Sequence, residues 1–420
     1  MDTRKRAARE DRALKVLFCG MHHAPELIGI GKYSGELAEH LASVGHRVTV
    51  VTAQPHYPEW SVRPPYRNRY ADETCNGVRI HRAPLLLKSP MKGVWRLIAP
   101  LSFAAFASPV VLWRALRERP DVVVCVAPTL FLAPAAWLAA RMTGAGSALH
   151  IQDLEIDAAF VVGHLKAGLM QRLALGFERW VMRRFDRVIT ISGRMAERIV
   201  AKGVETGRVT VLRNWVDLEK IRPLEGPNGY RQTLGVQDDQ FVVLYAGAIG
   251  RKQALHIVLE AATLLGDRAD IRFIIAGDGP ELPVLKGRYE SQPNVDFLPL
   301  QPADKLCDLL NAADVHVLPQ DRDMADLVLP SKLGGVLASG RRLVVMADPG
   351  TELHSFLGDV ATIIEPGNSG ALADAIVHLR GAPGGLHAEG VALASKLDAR
   401  RNLGDFEALL RGLARRSFTV

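Results

Sequence analysis

The sequence predicts an α/β protein built from two Rossmann-like, doubly wound domains. Three observations carry that prediction. Apolar, strand-like runs alternate with amphipathic helical runs along most of the chain. The alternation restarts after a Pro/Gly-rich connection near residues 213–228. The 420 residues suffice for two or three domains with full cores.

In order, LKVLFCG reads as a strand. A glycine-containing loop follows, then the helix KYSGELAEHLASVG, whose Leu37, Leu41 and Val44 fall on one face, and the strand HRVTVVTA. DVVVCVAP is a buried parallel strand and LFLAPAAWLAARMTG a helix closing at Gly144. SALHIQDLEID and FDRVITIS are further strands, the second leading into the helix GRMAERIVAKG. After the connection come FVVLYAGA, the helix QALHIVLEAATLL, IRFIIAGDGP, VDFLPL, the helix ADKLCDLLNAA and DVHVLPQ. A helix near SKLGGVLASG, the strands RRLVVMAD and ATIIEP and the helix SGALADAIVHL complete the second unit. The expected domains are 1–215 and 222–398, with 399–420 packing back on the first. In open α/β sheets ligands bind at the carboxyl ends of strands. A site formed by loops of both domains across a cleft is therefore expected.

Charge separates the halves. Residues 1–220 hold 32 Lys+Arg against 20 Asp+Glu, and residues 221–420 hold 20 against 25. A net +12 beside −5 suggests that the first half faces something anionic. The excess clusters at 79–119 and 172–198. No recognition motif accompanies it, so nucleic acid is not the expected partner. Cys19, Cys75, Cys125 and Cys307 form no C-x-x-C pair and no zinc spacing, which fits a reducing cytoplasm. The basic N-terminus lacks the apolar core of a secretory signal. Leu97–Trp113 carries no charge. Lys88, Lys92 and Arg96 precede it, Arg114, Arg117 and Arg119 follow, and Trp95 and Trp113 stand at its ends. Three readings are open for it: a core helix with basic ends, an interfacial segment on anionic lipid, and a span.

Four constellations could carry chemistry. Gly29 and Gly31 sit between the first strand and its helix, where a backbone can approach a phosphate or sugar. The spacing departs from G-x-G-x-x-G, so a tight turn is the alternative. Gly247 and Gly250 precede the adjacent cations Arg251 and Lys252 at a helix start. Cations are unfavourable at that end, and an anionic ligand would explain them. In LPSKLGGVLASG, the N–H groups of Ser331, Lys332 and Leu333 would point at the ligand, with Lys332 a further cation. In HIQDLEID, Asp153 follows the strand directly and Glu155 and Asp157 share its face if the chain stays extended. A carboxylate there could orient or deprotonate a hydroxyl, or cap a helix. IAGDGPEL and RNWVD read as structural. His22 and His23 lie near the first loop.

With these residues in hand, the chain resembles the retaining family 4 type glycosyltransferases of GT-B architecture, and within them the branch that builds exopolysaccharides such as colanic acid. APELIGIGKYSGELAEHLASVGHRVTVVTAQPHYPEW, HIQDLE, RNWVD, YAGAIGRKQAL, IAGDGPEL and LPSKLGGVLASG carry the resemblance, in the family's order, over roughly residues 15–400. It implies a nucleotide-diphosphate-sugar donor on the C-terminal domain and an acceptor on the N-terminal one. It also implies no metal or other cofactor, the leaving diphosphate being neutralised by cations and helix ends. Gly29 and Gly31 match the family's glycine loop, and Lys252 its diphosphate-binding lysine. Asp153 matches the acid at the sugar-binding strand end, with Gln152 where histidine is common. His22 and Gln152 are the expected acceptor contacts. Ala248 replaces the usual arginine, leaving Arg251 as its substitute. The family's paired glutamates would fall on Leu327 and Gly335, neither acidic, leaving Asp323, Asp326 or Glu352 to hold the ribose.

The leading expectation is sugar transfer with retention to a lipid-linked saccharide acceptor in bacterial exopolysaccharide or cell-surface glycan synthesis. The enzyme would be cytoplasmic and peripheral on the inner membrane through basic 79–119. A nucleotide-sugar 2-epimerase and a catalytically degenerate nucleotide-sugar-binding partner subunit are the alternatives.

Overall fold

The computed structural model describes residues 12–26, 29–57, 59–62, 64–89, 91, 93–128, 130–154, 168–225, 228–322 and 330–416. The chain divides into two compact units, Met1–Arg213 with Leu403–Val420, and Asn214–Asn402. Among the residues singled out above, Lys92, Glu155, Asp157, Asp323, Asp326 and Leu327 lie outside the described residues.

The first unit is an eight-stranded sheet. Its strands are β1 (Lys15–Gly20), β2 (Arg47–Ala53), β3 (Ala71–Cys75), β4 (Val78–Ala83), β5 (Val122–Ala127), β6 (Gly146–Ile151), β7 (Arg187–Thr190) and β8 (Val209–Val211). Their order is β3-β4-β2-β1-β5-β6-β7-β8. All pairings are parallel except β3 on β4, with Cys19 level with Val51 on one side and Cys125 on the other. The run VVVCVA is buried throughout, as a central strand covered on both faces requires. The covering helices are α1 (Ile30–Ser43), α2 (Trp95–Glu118), α3 (Ala133–Thr143), α4 (Leu169–Met182) and α5 (Gly193–Ala201).

Two features differ from the expected pattern. The β3–β4 hairpin is an addition, turned by Asn76 (φ 48°) and Gly77 (φ 81°). Two adjacent positive φ values are what a type I′ turn needs, and Asn-Gly supplies them. Val44 is not on the buried face of α1. It follows the last helical residue and is 46% exposed, while Leu37 and Leu41 are buried.

The second unit has β9 (Phe241–Ala246), β10 (Ile271–Ala276), β11 (Val295–Leu298), β12 (Val315–Leu318), β13 (Arg342–Met346) and β14 (Thr362–Ile364), all parallel, in the order β11-β10-β9-β12-β13-β14. Its helices are α6 (Gly229–Thr233), α7 (Leu255–Leu264), α8 (Leu282–Tyr289), α9 (Leu306–Ala312), α10 (Leu333–Ala338), α11 (Glu352–Leu357), α12 (Ser369–Gly381) and α13 (Ala388–Ala394). Val243, Tyr245, Val258, Phe273, Ile275 and Ile376 form part of one core layer between sheet and helices. The order reverses between β9 and β12, which makes the carboxyl ends of those two strands the ligand position in such a sheet. In the first unit the same reversal falls between β1 and β5.

A last helix, α14 (Ala399–Arg416), begins on the second unit, where Val216 and Asp398 bridge, and from Leu403 onward belongs to the first. Phe406, Leu410 and Leu413 are buried there. Gly146 permits this packing, because a Cβ on it would meet Leu413 at 3.0 Å. Glu407 bonds His46 at 3.1 Å and holds the register.

Candidate active site

In the first unit the loop after β1 carries His22, His23 and Glu26. Glu26 is nearly buried, yet it is the hub of a network. Its Oε2 meets His22 Nδ1 at 2.8 Å, and its Oε1 accepts the backbone N–H groups of His56 and Tyr57, each at 3.1 Å. Burial alone would raise the Glu26 carboxyl. The His22 hydrogen bond, the His22 and His56 rings beside it and the His56 N–H outweigh it, and the net shift is downward. An ionised Glu26 thus ties the loop after β1 to the loop after β2. The rings of His22 and His56 stack at 5.1 Å, and Tyr57 and Trp60 close the cluster edge-on at 5.8 Å. Burial pushes His56 down to about 4, so this imidazole is neutral at physiological pH.

The glycines of this loop have separate causes. Gly29 caps α1 with φ 61°, which favours glycine on backbone grounds, and it stands exposed. Gly31 is not in the loop but in the first turn of α1. A Cβ on it would lie 2.7 Å from Glu26 Cβ and 2.9 Å from its Oε2. Its missing side chain makes room for Glu26 rather than for a ligand. Across the sheet, Gln152 and Asp153 follow β6. Gln152 is buried and its Nε2 has no hydrogen-bond partner among the described residues. Asp153 is half-buried. Its charge, after burial and the charge of Glu26, raises the Tyr57 phenol, so Asp153 belongs to the same cluster.

His22, Glu26 and His56 also have ligand atoms within 4.8 Å of one another, close enough to share a metal ion. Their hydrogen bonds already occupy both Glu26 oxygens, and His56 Nδ1 lies 2.8 Å from Gln54 O. The arrangement is that of an internally bonded set.

In the second unit the site is built around the end of β9. The loop from Gly247 to Gly250 lies on the loop after β10. Ile249 N–H donates to Asp278 O at 2.8 Å and Gly247 N–H to Ala276 O at 2.9 Å. Gly277 and Gly279, expected to be structural, make this contact possible. Both have positive φ, and a Cβ on them would sit 1.9 Å from Gly247 O and 2.2 Å from Ile249 O. Arg251 and Lys252 are not on the first turn of α7 as expected. They form a separate 3₁₀ turn, because Ala254 takes φ 46° and breaks the helix. The Gly250 N–H is used within that turn by Gln253 Oε1 at 3.1 Å. Lys252 O accepts from Asp321 N–H at 3.1 Å, which joins the loops after β9 and β12 across the switch point.

Lys332 reaches the same place from the turn before α10. Its Nζ donates to the Tyr245 hydroxyl and lies 3.7 Å from the Tyr245 ring centroid. A Cβ on Gly247 would come within 3.0 Å of this nitrogen. Among the described residues Lys332 has no carboxylate partner. The residue keeps some contact with solvent, but its ammonium end is enclosed, and burial lowers it from 10.5 to about 7. A desolvated cation without a counter-ion is costly unless an anion arrives. Ser331 is exposed beside it. Leu333 does not contribute: its side chain is in the core and its N–H donates to Pro330 O at 3.1 Å. Glu352 opens α11 after β13, capped by Thr351. Gly335 lies within α10 against Leu310, 3.3 Å from where its Cβ would be. Tyr245 and the Glu26 hub have no counterpart in the sequence reading, whereas the GDGP run marks Gly277 and Gly279 as structural, as they prove to be.

Chemically, the second unit offers an ammonium group and a glycine-flanked backbone at a switch point, suited to a diphosphate. The first offers carboxylate, imidazole and amide groups beside aromatic rings, suited to a polyol. Comparison with known proteins gives the family. Residues 29–215 match the glycosyl transferase 4-like domain and residues 240–381 the glycosyl transferases group 1 domain. WcaI of Escherichia coli (strain K12), a glycosyl transferase named for colanic acid biosynthesis, is 38% identical over 374 residues, covering 86% of this chain and 91% of its own. Sucrose-phosphate synthase from Thermosynechococcus elongatus superposes with a TM-score of 0.71 at 15% identity, covering 95% of this chain and 99% of its own. Anabaena Alr3699/HepE, solved with UDP and glucose, gives 0.66 at 16% identity, covering 95% of this chain and 100% of its own. Each of the two units has the Rossmann-like form of the GT-B architecture, and the chain belongs to the family of glycosyltransferases that pair a glycosyl transferase 4-like domain with a group 1 domain.

Proposed function

We propose that this glycosyltransferase moves a sugar, with retention of configuration, from a nucleotide-diphosphate-sugar to a lipid-linked saccharide during cell-surface polysaccharide synthesis. The observation that carries the donor side is the enclosed Lys332 ammonium, held on Tyr245 and Gly247 with no carboxylate partner among the described residues. A diphosphate is the anion that would neutralise it, with Lys252 and Arg251 in the neighbouring turn. Charge developing on the departing diphosphate is then stabilised by side chains, with no metal ion required. The solved UDP complex of Alr3699/HepE and the likeness to WcaI support a nucleotide-sugar donor and a polysaccharide product.

On the acceptor side, Glu26 fixes His22 by its Nδ1 and leaves Nε2 as the ring nitrogen available to a hydroxyl. Asp153 and the Gln152 amide add an acceptor and a donor. A lipid-linked acceptor places the enzyme at the cytoplasmic membrane face, and α2 supports this. Its inner row, Ala99, Phe103, Ala107, Val111 and Ala115, is buried. Its outer row, Leu97, Leu101, Phe106, Trp113 and Leu116, is exposed and equally apolar. A helix with basic ends and an apolar outer face suits the bilayer interface.

The test is twofold. Nucleoside diphosphates should raise the thermal midpoint in a base-selective way. Lys252→Ala should lower turnover on the order of 10²-fold in a radiolabelled-sugar assay. An unchanged rate would remove Lys252 from the machinery.

A further inference from the structure

The first unit has a concavity at the opposite end of its strands from His22 and Asp153. Its volume is about 210 Å³, and Lys15, Arg47, Arg79, Arg114, Arg117 and Glu118 line it. These residues come from the amino-terminal ends of β1, β2 and β4 and the last turn of α2. Five cations thus converge on one lining acid. Glu118 is already engaged: its Oε2 accepts from Thr49 at 2.7 Å and lies 3.4 Å from Arg79, and Arg114 stands 3.7 Å from its Oε1. Arg114 also reaches the exposed Asp72 at 3.2 Å. Arg47 and Arg117 have no carboxylate partner among the described residues. Like charges gathered in a concavity create a field that favours an anion.

The neighbouring surface says which anion. Arg114 and Arg117 both lie over the Trp113 ring, at 4.4 and 5.4 Å from its centroid. Trp113 is 50% exposed and Leu116 51%. A soluble phosphate would use the cations and leave these apolar groups in water. An anionic phospholipid would use both, its phosphate in the concavity and its acyl region against the outer row of α2. We propose that the basic concavity formed by Lys15, Arg47, Arg79, Arg114 and Arg117 binds the phosphate headgroup of an anionic phospholipid and so docks the first unit on a bilayer. This rests on the membrane-surface reading above, and it adds the headgroup site.

The experiment uses the full chain in sedimentation with vesicles of phosphatidylcholine alone or with about 30% phosphatidylglycerol as the anionic lipid. Wild type should prefer the anionic vesicles. Arg47→Ala/Arg79→Ala/Arg117→Ala should weaken that binding by about fivefold per cation, on the order of 100-fold together. Arg47→Glu/Arg117→Glu, at two exposed positions, should do at least as much. A control with equal charge loss elsewhere, Arg198→Ala/Arg288→Ala/Lys305→Ala, should change it far less. Thermal stabilisation by UDP or GDP should be the same for wild type and all variants, which separates this site from the donor site. Equal weakening by the control overturns the headgroup site while leaving membrane attraction intact. Failure of wild type to bind anionic vesicles overturns both. Inorganic pyrophosphate stabilising wild type but not the triple variant, without vesicle binding, would make it a soluble-anion site and overturn the lipid proposal.

Discussion

Lys332→Met tests the donor cradle through its electrostatics. The folded ammonium titrates at about 7 against 10.5 ordinarily, because it is enclosed against Tyr245. The folded value is the lower one, so the unfolded chain binds more protons between those limits. Stability therefore rises with pH through that window, and the cost of the buried charge is fully present below pH 7. Between pH 7 and pH 9 this linkage amounts to about 2 kcal/mol. Methionine fills similar space without a charge, so the variant should be more stable than wild type at pH 6–7. The gap should narrow by about 2 kcal/mol at pH 9, roughly 4–8 °C in the midpoint of a domain this size. Nucleoside diphosphate binding should behave oppositely. An arriving diphosphate restores the proton, so calorimetry at pH 8 in buffers of different ionisation enthalpy should show proton uptake by wild type and little by the variant. A stability gap independent of pH, together with undiminished nucleotide binding, would refute the assignment of Lys332 as an enclosed cation awaiting an anion.

Other perturbations address the supports of the two sites. Gly277→Ala should destabilise the second unit by roughly 3 kcal/mol or more, since its Cβ would enter the Gly247 carbonyl at a positive φ. Gly287→Ala, in the open on α8, should instead stabilise by about 0.5–1 kcal/mol, and denaturant titration distinguishes them. Glu26→Gln should cost about 2 kcal/mol at neutral pH through the loss of a charged acceptor for His22. Its carboxyl is held down, so its contribution is present above the ordinary carboxylate range. The difference from wild type should vanish as acid protonates it. His150 and His316 are pushed down to about 4 by burial. Stability should fall as pH drops from 6.5 towards 4, by up to about 3 kcal/mol per histidine. His150→Phe should flatten that fall in an acid titration followed by circular dichroism.

The alternation of strand and helix was legible because parallel strands buried on both faces must be continuously apolar, as VVVCVA and FVVLYA are. The β3–β4 hairpin was missed although its Asn-Gly turn was visible, since its exposed strand ADETC has no apolar pattern to read. The cations after β9 are legible, but their separation from α7 is not, because Ala254 adopts a left-handed conformation that its residue type does not announce. The Pro-Ser start before Leu333 resembles an open helix end, yet it is closed. The core took the Leu333 side chain and the preceding turn its N–H.

What the sequence determined by itself is the kind of protein: two doubly wound units, glycines and cations after β9, and polar residues after β1 and β6. These are local properties, set by periodicity and by residues a few positions apart. What tertiary structure alone decided is which groups meet. Gly31 is small because Glu26 lies over it, and Gly277 because the Gly247 carbonyl does. Lys332 lost its ordinary basicity by landing on Tyr245, 87 residues away. The five cations of the headgroup concavity are spread from position 15 to position 117 and became one site only when three strand ends and a helix end converged. Desolvation and Coulomb interaction depend on distance through space, which strand order sets and spacing along the chain does not encode.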